Sequence, residues 1–461
     1  MKITFYGATK EVTGSKHLIT INNINILFDY GMHQGKRSES TKMNKRLPIP
    51  IKDIDFLILS HAHIDHSGLL PLLIKNGYSN PIYCTKATEA LIDIMLRDSG
   101  HIQEMDVEYI NRRKIKRGEA PVKALYTVED AQNVMPLVRG VKYYEKIKLT
   151  EDIYFTLYDA GHILGSSQVV LEYKEDKQMK KLLFTGDIGR DKLPIIRDPD
   201  LIENVDTMIS ESTYGGRLHG DITDVGTRFK DIINKTYSRG GKIVIPSFSV
   251  GRTQEVVYTL NKLTESHQVP LVPVYVDSPL SVNATEIFRK HRECYDDETW
   301  YMINNHDDPF GFKKLVYIKD VEESKNLNNS NKPCIIISAS GMCEAGRIRH
   351  HLKHNISDSK NTIMIVGYMA KNTLGRRIRD GEKEVKIFGD IYPVNADVIL
   401  FDEFSAHGDQ NDLIKHIKIA DPKELFLVHG EETQIKVLKS KITELSNIKV
   451  NIPDLGSSFE L

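Results

Sequence analysis

A chain of 461 residues is too long for one compact core, so two domains, or one domain carrying a large insertion, is the expectation. Hydrophobic residues at 40% and charged residues at 27% describe an ordinary globular protein with ample core material. A formal net charge of −1 excludes a global basic field, so a polyanionic partner would have to be held by a local basic groove.

The N-terminal "MKITFYGATK" lacks a positive region followed by a long apolar stretch, and no run approaches a membrane span. Short strands with polar turns fill roughly the first 200 residues: "KITFYGA", "HLITI", "INILFDYG", "DFLILS", "PIYCT", "IYFTLYDA", "SQVVLEY" and "KLLFTGD". One long helix, predicted over Lys86 to Arg117, interrupts them and ends on the basic "NRRKIKRG". A solvated helix face is the ordinary explanation for such a charge run, and RNA contact the minority one. From about Glu211 the rhythm changes to strand followed by helix: "GKIVIPSFS", "VPVYVDS", "PCIIISAS" and "NTIMIVGYMA" each lead into a helical stretch. Continuous β-branched runs between helices predict buried parallel strands. After about Asp390 strand-rich text returns with "ADVILFDEFSAHG", "ELFLVHG" and "NIKVNIP". The expected architecture is therefore α/β, with a parallel-sheet domain (209–390) inserted into another whose parts are 1–208 and 391–461. Four scattered cysteines (Cys84, Cys294, Cys334, Cys343) form no C-x-x-C pair, which points to a reducing, cytoplasmic compartment and to imidazole and carboxylate as metal ligands.

The chemistry concentrates at strand ends. "LSHAHIDHSG" places His61, His63, Asp65 and His66 within six positions, in a chain with 17 histidines among 461 residues. His61 and His63, two apart, point the same way in extended chain. Imidazole with carboxylate suits zinc and its divalent neighbours. His162 in "YDAGHILGS", Asp187 in "LLFTGDIGR", His407 in "FSAHGD" and His429 in "LFLVHGE" also follow apolar strands. Together these supply enough ligands for two metals, with Asp187 the natural bridge.

This set resembles the metallo-β-lactamase superfamily, with Asp29 in "LFDYG", "HAHIDH", His162 and Asp187 as its four successive motifs. Glu211 in "SESTYG", His407 and His429 resemble motifs A, B and C of the β-CASP branch, whose members process nucleic acids. The resemblance spans nearly the whole chain and implies an αββα sandwich with an inserted β-CASP domain. It further implies two zinc ions per chain, with manganese as a substitute: His61, His63 and His162 on one, Asp65, His66 and His429 on the other, and Asp187 bridging. Asp29 would steady the "HAHIDH" loop from behind the ligands. Two adjacent cations neutralise a phosphodiester and bring a bound water's pKa down to about 7, generating hydroxide near neutral pH. Asp65, Glu211 and His407 are the expected catalytic residues. His407, oriented by Glu211, is the expected donor of a proton to the leaving sugar oxygen, giving a 5′-phosphate and a 3′-hydroxyl.

Substrate grip is expected from the inserted domain. "PSFSVGRTQE" places Ser247 and Arg252 at a strand-to-helix turn, "SASGMCEAGR" does so for Ser340 and Arg347, and "GYMAKNTLGRR" adds Lys371 and Arg376. Free N–H groups and the helix dipole favour phosphate at such turns. A histidine at motif C, as in RNA-processing members, favours single-stranded RNA over DNA. "FSAHGD" and "GRTQE" resemble the group of the eukaryotic pre-mRNA 3′-end endonuclease and its compact bacterial relatives, without accessory KH or C-terminal modules. Such relatives often form homodimers, so a homodimer is among the expectations, and a membrane is not. The readings that compete with a ribonuclease are a DNA nuclease of the same family, a catalytically silent subunit of a processing complex, and a hydrolase of thioesters or lactams.

Overall fold

The structure, a computed structural model, describes residues 1–35, 37–46, 48–220, 225–367, 369–370, 372–401 and 404–461. It divides into two compact units, one built from 1–191, 198–218 and 407–461, the other from 192–197 and 219–406.

The first unit contains two seven-stranded sheets. In one, the order is Ser458–Glu460, Lys2–Phe5, His17–Ile21, Ile24–Phe28, Phe56–Ile58, Ile82–Thr85, Val138–Val141. In the other it is Lys449–Asn451, Glu424–Leu427, Thr207–Ser210, Gln178–Phe184, Ser167–Glu175, Ile153–Asp159, Ile147–Lys148. Alternation explains how they pack: His17–Ile21 buries every second residue, and Ile19 and Ile21 meet Phe155, Leu157, Val169 and Phe184 in one core cluster between the sheets. Phe28 stacks on Phe184 across that cluster, with centroids 5.1 Å apart. A second cluster, on the other face of the second sheet, joins Val170, Leu183 and Met208 to Leu413, Ile417, Ile435 and Leu438 of the helices Gln410–Ala420 and Glu432–Leu445. Helix Lys86–Ile115 flanks the first sheet, contacting strands Ile82–Thr85 and Val138–Val141. The result is the expected αββα order. Strands from late in the chain lie inside or beside the early ones: Glu424–Leu427 pairs in parallel with Thr207–Ser210, and Ser458–Glu460 antiparallel with Lys2–Phe5.

The second unit has a six-stranded, wholly parallel sheet: Leu315–Ile318, Val274–Asp277, Ile335–Ser338, Ile243–Pro246, Thr362–Ile365, Asp397–Leu400. Its central strands are buried at every position, as runs such as "IIIS" and "IVIP" require when helices cover both faces. Among the described residues no helix is long and apolar enough to cross a membrane.

Candidate metal centre

Parallel pairing of Ile24–Phe28 with Phe56–Ile58 brings Asp29 beside Ser60 and the "HAHIDH" turn. Ser60 N–H donates to Asp29 Oδ1 at 2.8 Å, and Ser60 Oγ (3.0 Å), Ser15 Oγ (3.1 Å) and His66 Nδ1 (2.7 Å) all reach Asp29 Oδ2. Ser60 Oγ also lies 3.1 Å from His61 Nδ1. One fully buried carboxylate thus orients His66 directly and His61 through a hydroxyl. Asp29 and His429 both adopt left-handed backbone, φ 57° and 47°, a cost of order 1–3 kcal/mol that ordered surroundings must offset. His429 N–H is tied to Ala8 O at 2.7 Å.

Two donor groups result. His61 Nε2 and His162 Nε2 lie 3.1 and 3.2 Å from His63 Nδ1, and Asp187 Oδ2 is 3.6 Å from both Nε2 atoms. In the other group His66 Nε2 is 3.2 Å from His429 Nε2, which is 3.5 Å from Asp65 Oδ2. Asp187 faces both sets: its Oδ1 is 3.3 Å from His66 Nε2 and 3.4 Å from His429 Nδ1. Yet this buried oxygen makes no hydrogen bond among the described residues.

These donors fit metal. Metal–nitrogen bonds of 2.0–2.1 Å in a tetrahedron set ligands roughly 3.3 Å apart, which is the spacing seen, and nitrogens crowded face to face without a proton between them repel unless a cation joins them. The electrostatics of His61 and His63 agree, since a ligating imidazole must be unprotonated, while the two carboxylates beside His66 favour its protonated form. Burial, reinforced by His66, holds His61 well below the usual imidazole range, and burial brings His63 down to about 4. Burial also opposes charge on His66, but Asp187 and Asp29 outweigh it and hold its pKa well above the usual range. Asp65 is lowered to about 2, because His429 and His66 outweigh the burial that would raise it.

Beside this lies a third group, Asp187, Glu211 and His407. Glu211 is fully buried, accepting from Ile188 N–H at 2.6 Å, and its two oxygens lie 3.1 and 3.2 Å from His407 Nδ1. His407 reaches this position because Gly189 and His407 form an antiparallel bridge. Its ring lies tilted against that of His162, centroids 4.4 Å apart. Burial opposes an imidazolium there, but Glu211, aided by Asp187 and Asp65, raises the pKa to about 9.

Several contributors are not evident from the motifs. A Cβ on Gly31 would sit 1.6 Å from Asp65 O, and one on Gly189 would sit 1.7 Å from Gly161 O and 2.9 Å from His162 N. Glycine at "DYG" and "DIG" is what lets these loops close. Ser60, Ser15 and Thr213, whose Oγ1 is 3.1 Å from His429 Nδ1, are ordinary hydroxyl residues with no sequence signal beyond adjacency to a motif.

The expected phosphate-binding residues all belong to the second unit, whereas the donor cluster belongs to the first. Ser247 Oγ accepts from Thr253 Oγ1 at 3.2 Å, and Ser340 Oγ bonds both N and O of Ala345 at 3.2 Å. Arg252 and Arg347 both have protein partners. Arg252 is buried and paired with Glu255. Arg347 donates to Asp277 Oδ1 (2.6 Å), Lys319 O (2.6 Å) and Asp320 O (3.3 Å). Arg376 pairs with Asp380 at 2.8 Å. Lys371 lies outside the described residues.

Comparison with known proteins gives three family matches in order along the chain: a metallo-beta-lactamase superfamily domain over 18–213, a Beta-Casp domain over 253–378, and a Zn-dependent metallo-hydrolase RNA specificity domain over 391–453. The chain is 33% identical to Ribonuclease TTHA0252 of Thermus thermophilus, over 99% of each chain. It is 33% identical to an RNase J-like protein of Methanocaldococcus jannaschii, over 99% of this chain and 98% of that one. The transcription termination factor FttA of Methanosarcina mazei is 30% identical over 96% of this chain and 69% of its own. A crystal structure of a protein of unknown function from Enterococcus faecalis V583 shares the fold, at TM-score 0.55 and 13% identity, covering 100% of this chain and 99% of that one.

Proposed function

The chain belongs to the β-CASP branch of the metallo-β-lactamase superfamily, a family of metal-dependent ribonucleases, and from that membership we propose a zinc-dependent hydrolase of single-stranded RNA, acting in the cytoplasm. The observation that carries the reading is the shared placement of Asp187, with one oxygen facing each donor set and the His407–Glu211 pair beside it.

His61, His63 and His162 would hold one ion, Asp65, His66 and His429 the other, and Asp187 both. When bound, two zinc ions supply charge neutralisation of the phosphodiester and activation of water near neutral pH. The remaining work falls to the chain. Asp29, through Ser60 and directly, fixes the His61 and His66 tautomers so that Nε2 of each faces inward. Asp65 is the carboxylate placed to take a proton from the attacking water. Glu211 holds Nδ1–H of His407 and favours the imidazolium, leaving Nε2–H to protonate the departing O3′ as the P–O3′ bond breaks. The products are a 5′-phosphate and a 3′-hydroxyl. A general acid must be protonated at the operating pH, and the carboxylate of Glu211 keeps His407 in that form. In the second unit, Ser247, Arg252, Ser340, Arg347 and Arg376 are the proposed phosphate contacts.

Purified protein should cleave labelled RNA and stop on chelation, and His61→Ala should abolish cleavage. His61→Ala protein cutting as fast as wild type would refute the metal mechanism. DNA of the same sequence, cut equally well, would refute RNA specificity.

A further inference from the structure

The long helix Lys86–Ile115 changes character at its midpoint. Up to Gly100 it buries Leu91, Ile92, Met95 and Leu96, and Gly100 itself packs so closely on Thr127 that a Cβ would meet its backbone at 2.9 Å. From His101 to the helix end no residue is buried. A helix face left to water should be polar. Here Ile102, Met105 and Tyr109, spaced three and four apart on one side, are 43%, 54% and 63% exposed. The same side continues as Arg112, Arg113 and Lys116, and the stretch from Tyr109 to Arg117 carries five cations and no acid. Arg113 lies 5.9 Å over the Tyr109 ring. Arg112 pairs with Glu108, and Lys114 and Arg117 with Glu119, but these are surface pairs of small worth that an anion can displace. Asn111 anchors the stretch, exchanging hydrogen bonds of 2.9 and 2.8 Å with the backbone of Val122.

We infer that this outward face is an outlying RNA-binding surface: Arg112, Arg113, Lys116 and Arg117 take phosphates while Tyr109 stacks a base. An exposed aromatic ring beside a row of cations is the composition that holds a single strand without reading its sequence. Charge decides the occupant. In a chain whose net charge is −1, this face is locally basic, complementary to a polyanion and repulsive to its own copy. Its position then sets its role. The helix starts against the loop that carries His162, where Thr85 Oγ1 and Thr88 Oγ1 both donate to Gly165 O, three residues beyond it. At 1.5 Å per residue, Tyr109 lies roughly 36 Å along the axis. At about 3.4 Å per stacked nucleotide, that is on the order of ten nucleotides from the cleavage point. Only a long RNA reaches both places.

This inference rests on RNA being the substrate, and the experiment separates the two. Wild type and the triple variant Arg112→Glu/Arg113→Glu/Lys116→Glu are compared for binding and cleavage of an 8-nucleotide and a 30-nucleotide RNA. The 8-mer should be handled equally by both. For the 30-mer the variant should bind about tenfold or more weaker, and its slope of log K against log salt should fall by roughly 2, at about 0.7 for each phosphate no longer neutralised. Tyr109→Ala, which keeps the charge, should weaken 30-mer binding with no change in that slope. Equal 30-mer binding by wild type and triple variant would overturn the inference. So would equal losses on both lengths, or a wild-type dimer in sedimentation that the variant lacks, which would assign the face to a second copy. Because binding is read separately, a chain that bound RNA through this face and cleaved none would sink the ribonuclease reading and leave the surface standing.

Discussion

Removing one hydroxyl should separate the two metal positions. Ser60→Ala keeps the backbone N–H that donates to Asp29 Oδ1 and deletes only Oγ, which stands 3.1 Å from His61 Nδ1 and 3.0 Å from Asp29 Oδ2. His61 then loses the group that fixes its tautomer, whereas His66 keeps its direct 2.7 Å bond to Asp29. A hydrogen bond to a charged group is worth about 1.5–3 kcal/mol, and outer partners of metal-binding histidines change affinity by about 10–100-fold, so the two scales agree. The expected outcome is a fall of that size at the position held by His61, His63 and His162, and little change at the one held by Asp65, His66 and His429. Zinc titration against a competing chelator, fitted to two sites, reads both affinities. Asp29→Asn is the companion variant and should weaken both. Two unchanged affinities in Ser60→Ala, or two that fall together, would refute the relay from Asp29 through Ser60.

His407→Ala should retain zinc in the same titration and lose about 10²–10⁴-fold in turnover if, as proposed, it is the proton donor; loss of zinc would make His407 a ligand instead, as its place beside Asp187 and Glu211 would allow. Gly189→Ala should push the Gly161–His162 turn away from His61 and His63, destabilising the fold by about 1–3 kcal/mol and weakening the first metal position, read by melting and zinc titration together. In the second unit, Asp277 is fully buried and accepts from His351 Nε2 (2.6 Å), Ser324 Oγ (2.5 Å) and Arg347 Nη1 (2.6 Å). Burial alone would raise its pKa, but these donors outweigh it and lower it. Its stabilisation is therefore complete above the unfolded carboxylate value of about 3.9 and is lost as pH falls through the lower folded value. Asp277→Asn should cost about 3 kcal/mol or more at pH 7, by leaving Arg347 without its carboxylate, and should remove that part of the acid sensitivity. Melting curves between pH 2.5 and 7 check both signs.

The sequence was most informative where periodicity and chemistry coincide. "IIIS" and "IVIP" read as buried parallel strands because nothing polar interrupts them, and these strands are buried throughout. The residues of "HAHIDH", His162, Asp187 and His429 stand out because several ionisable groups end apolar strands, and the fold brings those ends to one place. What stayed hidden is whatever depends on partners distant in sequence. Nothing around Arg347 in "GMCEAGR" announces Asp277, seventy positions earlier, to which it donates. Ser60 and Ser15 look like ordinary strand-end residues until Asp29 gathers them. Gly31 and Gly189 read as turn formers, whereas their role is the space they leave for the backbone of other loops.

The pairing of Glu424–Leu427 beside Thr207–Ser210 has a consequence for how the protein comes into being. His407 and His429 leave the ribosome well after the "HAHIDH" turn. At about 5–20 residues per second, the early half of the chain waits for tens of seconds without His407 and His429. On the proposed mechanism a nascent chain is inert toward the messenger it is being read from. The capacity to cut RNA arrives only when the late strands close both sheets.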